Sequence, residues 1–305
     1  MNTSFLQGND WLKFQSLIGR KTFRYDNGKI RANIIRHDLP FARNYLYVPY
    51  GPEILFDQIT GSIKNEVDQF LNYLKNLGQE NKSIFIKLEP LTDAVAEVLY
   101  RSNFKKAKKI IQPQKTVLIE LFKTENELFK NLSHGAQYSL SVADKYNLEI
   151  IQSESEDFNK IWELFKATEK RDKFFLHEKF YYEILLDFKG DEFSTKLFVI
   201  KHENKNLATA VIGYYQDTAY YLHAAADIKH REFQGPRALL WHIIKTAKQD
   251  GYKYFDLWGI DANKMPGVTK FKLSFGGRVI EYPGSFDLPI SRFWYLMYKI
   301  ARKVF

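Results

Sequence analysis

Two acidic and three basic side chains fall within one short stretch of this sequence, Tyr254 to Gly277, which reads YFDLWGIDANKMPGVTKFKLSFGG. Four of them, Asp256, Asp261, Lys270 and Lys272, are the candidates for chemistry. Carboxylates and ammonium groups move protons, or hold fixed charge against charge that develops in a reaction. Composition closes off other chemistries. The chain has no cysteine, which excludes disulfides, thiolate nucleophiles and Cys-ligated zinc, and its seven histidines include no H-x-x-x-H pair, so no histidine metal site is expected. A plainer role stays open for each group: Asp256 capping a turn, Lys272 solvated on a helix face.

Groups at a site must be held by rigid elements. Apolar strands at Tyr254 to Trp258 and Arg278 to Tyr282 flank this stretch, with a polar loop and a short helix between them, so the charges sit at strand ends where a sheet fixes them. Two similar passages organise the chain. The first runs from an aromatic strand (Tyr45 to Tyr50) through Gly51-Pro52 and an amphipathic helix (Ile59 to Leu77) to a short strand (Ile84 to Leu88). The second runs from a strand (Ala219 to His223) through Gly235-Pro236 and a helix (Ala238 to Gln249) to Tyr254 to Trp258. Ile63, Val67, Phe70, Leu71 and Leu74 recur at three-and-four spacing in one helix; Leu239, Leu240, Ile243, Ile244 and Ala247 do so in the other. Strand, turn, helix and parallel strand form a right-handed crossover, and its recurrence predicts an α/β (α+β) chain made of two domains related by internal duplication. Any α/β protein repeats such units; the Gly-Pro ahead of each helix is what makes these two alike.

Length agrees, since 305 residues exceed a comfortable single core. Gln112-Pro113, after the lysines at 105, 106, 108 and 109, marks the boundary. One domain is expected over 1–112, completed by 285–305, and the other over 113–284. In the second, a strand at Thr116 to Leu121 precedes helices at Glu125 to Tyr146, Glu156 to Glu169 and Phe180 to Leu186, then strands at Lys196 to Lys201 and Ala208 to Gln216. An excess of 45 Lys+Arg over 36 Asp+Glu, a net charge of +9, favours anionic partners. The start of the chain lacks the basic and apolar run of a secretory signal, and no run reaches the ~18 apolar residues of a membrane span, so a cytoplasmic protein is expected.

A strand, glycine turn and helix is also the acyl-CoA site of the GNAT acetyltransferases, where backbone N–H groups cradle a pyrophosphate. Here Gln234 and Pro236 stand where two glycines would be. Proline lacks the N–H and glutamine crowds the approach, so a GNAT-like fold without CoA is expected.

Along nearly its whole length the chain resembles the FemABX family, the peptidoglycan-bridge aminoacyltransferases. The matching pieces are FLQGNDWLKFQ (Phe5 to Gln15), YLYVPYGP (Tyr45 to Pro52), IQPQKT (Ile111 to Thr116), TEKRDKF (Thr168 to Phe174), FDLWGI (Phe255 to Ile260) and FKLSFGG (Phe271 to Gly277). The resemblance implies two GNAT-like acyltransferase domains, no metal and no cofactor. It also implies transfer of an amino acid from aminoacyl-tRNA to the stem-peptide amine of a UDP- or lipid-linked peptidoglycan precursor. A different activated acyl donor, and a catalytically silent membrane or nucleic-acid binding homologue, are the other classes open at this point.

Under that resemblance Lys272 is the cation that meets charge developing on the attacked ester, with Phe271 and Phe275 holding its stem. Glu89, in IKLEP, orients or deprotonates the amine, or merely forms a turn before proline. Lys13 and Arg171 face the anionic substrate, with Tyr47, Tyr221, Asp256, Trp258 and Phe271 completing the substrate surface. Lys13 is equally readable as a solvated helix residue. The sequence departs from the family where a helix reading R-Y-x-I-R-x-A becomes Gln137 to Ala143, so Gln137 and Ser141 replace the two arginines that suit tRNA. A further family arginine is replaced by Glu178. The segment Ser291 to Phe305 reads as a basic amphipathic helix that docks on the protein's own core or makes peripheral contact with an anionic membrane face; the two are compatible. A monomer is expected.

Overall fold

The structure is a computed structural model describing residues 3–55, 63–172 and 176–304. The expected helix start at Ile59, the motif residues Lys173 and Phe174, and Phe305 lie outside the described residues. In chain order the elements are α1 (Asn9–Leu17), β1 (Thr22–Asp26), β2 (Ile30–Leu39), β3 (Arg43–Val48), β4 (Glu53–Ile54), α2 (Ile63–Glu80), β5 (Phe85–Leu88), α3 (Asp93–Arg101) and β6 (Lys105–Ala107). There follow β7 (Lys115–Glu120), α4 (Glu125–Lys130), α5 (His134–Ala143), β8 (Leu148–Ser153), α6 (Phe158–Asp172), α7 (Lys179–Asp187), β9 (Phe193–His202), β10 (Lys205–Tyr215), β11 (Thr218–Ala226), α8 (Gly235–Gln249), β12 (Tyr254–Gly259), α9 (Pro266–Leu273) and β13 (Arg278–Glu281). The chain closes with β14 (Ser285–Pro289) and α10 (Arg292–Val304). Residues 1–114 with 281–305 make one compact unit, and 115–280 the other.

The first unit's sheet runs β1-β2-β3-β5-β14-β6, with β4 against β2. An antiparallel meander leads into β3, which pairs parallel with β5 through Tyr47 and Lys87. The crossover between them is α2, whose Val67, Phe70, Leu71 and Leu74 are buried against the sheet, as their spacing predicts. Strand β14 lies antiparallel between β5 and β6, so the last residues of the chain complete the first sheet.

The second unit repeats that topology. Its sheet runs β8-β9-β10-β11-β12-β7-β13. Antiparallel β9, β10 and β11 lead through α8 to β12, which pairs parallel with β11 at Tyr220 and Asp256. Strand β7 then lies antiparallel beside β12, the place β14 takes beside β5. All five predicted apolar positions of α8 are buried.

Two expectations are corrected. The helix expected from Glu125 to Tyr146 is two helices: the first ends at Lys130 with Asn131 as its C-cap, and Ser133 caps the second, its hydroxyl accepting from the Ala136 N–H while its own N–H donates to the Ser274 carbonyl. The two Gly-Pro pairs are not equivalent. Pro236 sits in the first turn of α8, where a missing N–H costs nothing, whereas Gly51-Pro52 precedes β4 and the described part of α2 begins only at Ile63. The β1–β2 hairpin, β8 and α3 were not foreseen. No described helix is long and apolar enough to cross a membrane.

Candidate active site

Lys272 lies in the last turn of α9, in surroundings that strip water from a cation. It is 8% exposed. Its Nζ donates to the Gly259 carbonyl at 2.7 Å and stands 5.9 Å from the centre of the Tyr221 ring. Burial pulls its pKa down to about 8, an effect the Asp256 charge opposes. At pH 7 the amine is therefore still protonated by roughly ten to one. Its two remaining N–H donors have no hydrogen-bond partner among the described residues. Phe271 and Phe275 pack edge to face at 5.4 Å, and the Arg237 guanidinium covers Phe271 at 5.7 Å. Lys272 is thus buried along its stem while part of its head is left for another acceptor.

The carbonyl that Lys272 meets is placed by a bulge. Pairing of β12 with β7 slips between Asp256 and Gly259, and Trp258 takes a left-handed backbone with φ of 58°. A non-glycine residue there costs about 1–2 kcal/mol, so something must hold it. Asp256 does: its Oδ1 accepts the Trp258 N–H at 2.7 Å and the Thr116 hydroxyl. The side chain is 2% exposed, and burial raises its carboxyl to about 6 against those two donors and the Lys272 charge. The Asx turn, the bulge and the aimed carbonyl are one device. Trp258 in turn packs edge to face on Tyr220 at 6.0 Å. Of the four charged groups with which the sequence drew attention to this loop, Asp256 and Lys272 are brought together. Asp261 caps a turn through the Asn263 and Lys264 N–H groups, and Lys270 is exposed.

Glu89 follows β5 in the first unit and is 2% exposed. Its carboxylate accepts from the Tyr47 hydroxyl and from the N–H groups of Ile111 and Gln112, at 2.7 and 2.9 Å for the two amides. Burial raises its pKa above the usual carboxylate value, with those donors opposing. Tyr47 is buried beside it and its phenol is pushed well up for the same reason. In the structure Glu89 fastens the segment at Ile111 and Gln112 to the end of β5.

The remaining candidates are scattered. Lys13 on α1 has a side chain 60% exposed and pairs with Asp10 at 3.1 Å. Arg171 at the end of α6 spends its fork on Asp172, two bonds of 2.7 Å, and donates a third to the Ala226 carbonyl. Sequence reasoning missed Thr116 as the partner of Asp256, although the motif ending in Lys115-Thr116 pointed there. It also missed the buried pair of Lys87 and Asp287, 2.7 Å apart, whose lysine donates further to the Ser285 hydroxyl at 2.8 Å. A lone lysine within the apolar run of β5 was the available signal.

Gln234, Gly235 and Pro236 form the start of α8. At the start of α8 the N–H groups of Arg237 and Ala238 both bond to the Gln234 carbonyl, and Pro236 has none. Gly235 is small for packing: a Cβ there would stand 2.8 Å from the Leu207 Cβ. Among the described residues no cluster of three or more His, Asp or Glu is arranged to hold a metal ion.

Comparison with known proteins agrees with this architecture. The sequence profile of the FemAB family matches residues 98–205 and 192–303, more than half of the chain. A lipid II:glycine glycyltransferase of Staphylococcus epidermidis is 21% identical over 387 aligned positions, covering 99% of this chain and 91% of that protein. Among solved structures, that of FemX superposes with a TM-score of 0.82 at 19% identity, covering 97% of this chain and 94% of that one. A tandem GNAT protein from the clavulanic acid biosynthesis pathway superposes with a TM-score of 0.57 at 9% identity over 94% and 96% of the two chains. The fold is therefore mixed α/β with GNAT-like acyltransferase relatives.

Proposed function

This chain belongs to the FemAB family, and we propose from that premise that it is an aminoacyltransferase which builds the interpeptide bridge of peptidoglycan. The acyl donor is aminoacyl-tRNA and the acceptor is the side-chain amine of the stem peptide in a peptidoglycan precursor. The amine lone pair attacks the ester carbonyl, the C–O bond to ribose breaks, the nitrogen loses a proton and the ribose oxygen gains one. Negative charge passes through the carbonyl oxygen and then the ribose oxygen.

The observation that carries this reading is Lys272: a buried, mostly protonated amine with spare donors, held at the end of β12. A preorganised cation of that kind stabilises charge that appears only in the transition state. Asp256 and Trp258 position it through the Gly259 carbonyl. Tyr221 walls the cation, and Phe271 holds its stem. Glu89 and Tyr47 act as positioning residues in the first unit, and Lys13 offers a mobile charge for the precursor's phosphates. On α5 the Gln137 side chain caps the carbonyls of Leu132 and Phe129, and Ser141 bonds to the Tyr138 carbonyl. RNA contact through that helix therefore rests on exposed Tyr138 rather than on cations. We place the enzyme in the cytoplasm, as a monomer.

Incubating the protein with charged tRNA and a UDP-linked precursor, then weighing the precursor by mass spectrometry, tests this. An increment of one or more amino-acid residues, absent with uncharged tRNA, is expected. An unchanged precursor with every charged tRNA would remove the donor assignment.

A further inference from the structure

The last helix divides its aromatic residues between two environments. Trp294, Tyr295 and Tyr298 face inward. Tyr295 and Tyr298 pack on Phe85 at 5.2 and 4.8 Å, the Tyr295 hydroxyl donates to Asp287 at 2.9 Å, and the Arg43 guanidinium sits 4.0 Å from the Trp294 ring centre. That face is satisfied by the first unit's own sheet. The other face is apolar and open: Phe293, Leu296, Met297 and Ile300 are 63%, 56%, 43% and 48% exposed. At 3.6 residues per turn these four share an arc of about 100°. Arg292 and Lys299, both exposed, lie together along one edge of it.

A second element carries the same chemistry. The turn between β2 and β3 holds Phe41 and Ala42 with φ of 61° and 52°, and the Phe41 ring is 88% exposed, more than any other large apolar side chain described. Two non-glycine residues in that conformation are strained. The turn is tied to the last helix, since Arg43, two residues on, is the residue that covers Trp294.

We infer that the outer face of α10 and the Phe41 turn together form a contact for an anionic lipid bilayer. A bilayer surface accepts an apolar stripe along the helix and a single aromatic tip at the acyl boundary, with the cations left among headgroup phosphates. Its charge complements the basic edge and the excess of 45 Lys+Arg over 36 Asp+Glu. A protein groove would need matching acids and would leave the Phe41 tip unaccounted for. The bilayer contact is independent of the acyl-transfer reading and does not need it.

The test is flotation of the full chain with phosphatidylcholine vesicles, with and without about one third phosphatidylglycerol, at low and high salt. Wild type is expected to float with the anionic vesicles and to be released by salt or by removal of the anionic lipid. Leu296→Glu combined with Ile300→Glu should weaken partitioning by more than about tenfold, and Phe41→Ser on its own by several-fold, because each removes apolar area from the lipid. These positions are exposed, so melting temperatures should stay near wild type, and the two variants probe separate elements. Wild type remaining with the soluble fraction at every lipid composition would overturn the inference. So would equal binding to neutral vesicles, or a wild-type dimer in solution that the double variant dissociates, which would make the face a contact between two copies.

Discussion

The Nζ of Lys272 donates to the carbonyl of Gly259, 13 residues earlier, across 2.7 Å. This bond exists because β12 bulges at Trp258, so the cation and the strand end are built as one piece. Its energetic sign is unusual. Burial disfavours the ammonium, so the fold is made less stable by a group kept for charge.

Lys272→Met keeps the stem's bulk and removes the cation. Turnover should fall by something like 10²-fold or more, the scale of one lost oxyanion donor. Melting temperature should hold or rise, because a desolvated charge is gone while the packing against Tyr221 stays. Equal single-turnover rates for the two proteins would take Lys272 out of the chemistry.

The pH dependence follows from the same side chain. With its pKa lowered from 10.5 to about 8, Lys272 loses its charge above pH 8, and the rate should fall there by about tenfold per unit. Stability moves the other way. Between pH 8 and 10.5 the unfolded chain binds the proton that the folded chain does not, so folding gains as pH rises relative to Lys272→Met. Denaturant melts of the two proteins across that window check the sign.

Asp256→Asn should act through its neighbour. The Asp256 charge raises the Lys272 pKa, so removing it should shift the alkaline fall in rate to lower pH, a change that a purely structural aspartate would not produce. The carboxyl itself is raised from 3.8 to about 6. Its contribution to stability is therefore present below pH 4 and lost as pH rises through 6. The variant should flatten that part of the stability profile.

For Glu89→Gln, stability is the readout. An amide in place of the carboxylate turns a donor toward the Tyr47 hydroxyl or toward the N–H groups of Ile111 and Gln112. At least one buried partner is left unpaired, at about 1–3 kcal/mol. A catalytic base would instead show a large loss of kcat with an unchanged melting temperature.

Acetyl-CoA should give no saturable thermal shift, since a ligand of the native state must raise its melting temperature. The Arg237 and Ala238 amides at the start of α8 are already bonded to Gln234. A clear shift would mean that another set of donors holds the pyrophosphate.

Much of this was legible in the chain where periodicity and packing coincide. The apolar spacing of α2 and α8, and the two crossovers they close, were readable because each helix buries one face on one sheet. Lys272 was readable as a lysine between two phenylalanines. Its depressed pKa was not, since burial is a property of the whole fold. Thr116 and Asp256 are 140 positions apart, and nothing local in either signals the other. Lys13 and Arg171 were readable as cations, but their ion pairs with Asp10 and Asp172 were not, since nothing in the sequence marks which nearby acid a side chain turns to. Ser133 starts a second helix inside the expected one because a hydroxyl that caps also starts afresh.

Strand β14 has an implication for synthesis. The first sheet is complete only when residues 285–289 pair with β5 and β6, and the whole of 115–280 is made in between. At ribosomal rates of about 5–20 residues per second that interval lasts on the order of ten seconds. Throughout it the nascent first unit carries an unpaired β5 edge, a template for wrong partners, whereas the second unit, continuous in the chain, has every strand it needs as soon as β13 is made. The part of the protein translated first is thus the part that matures last.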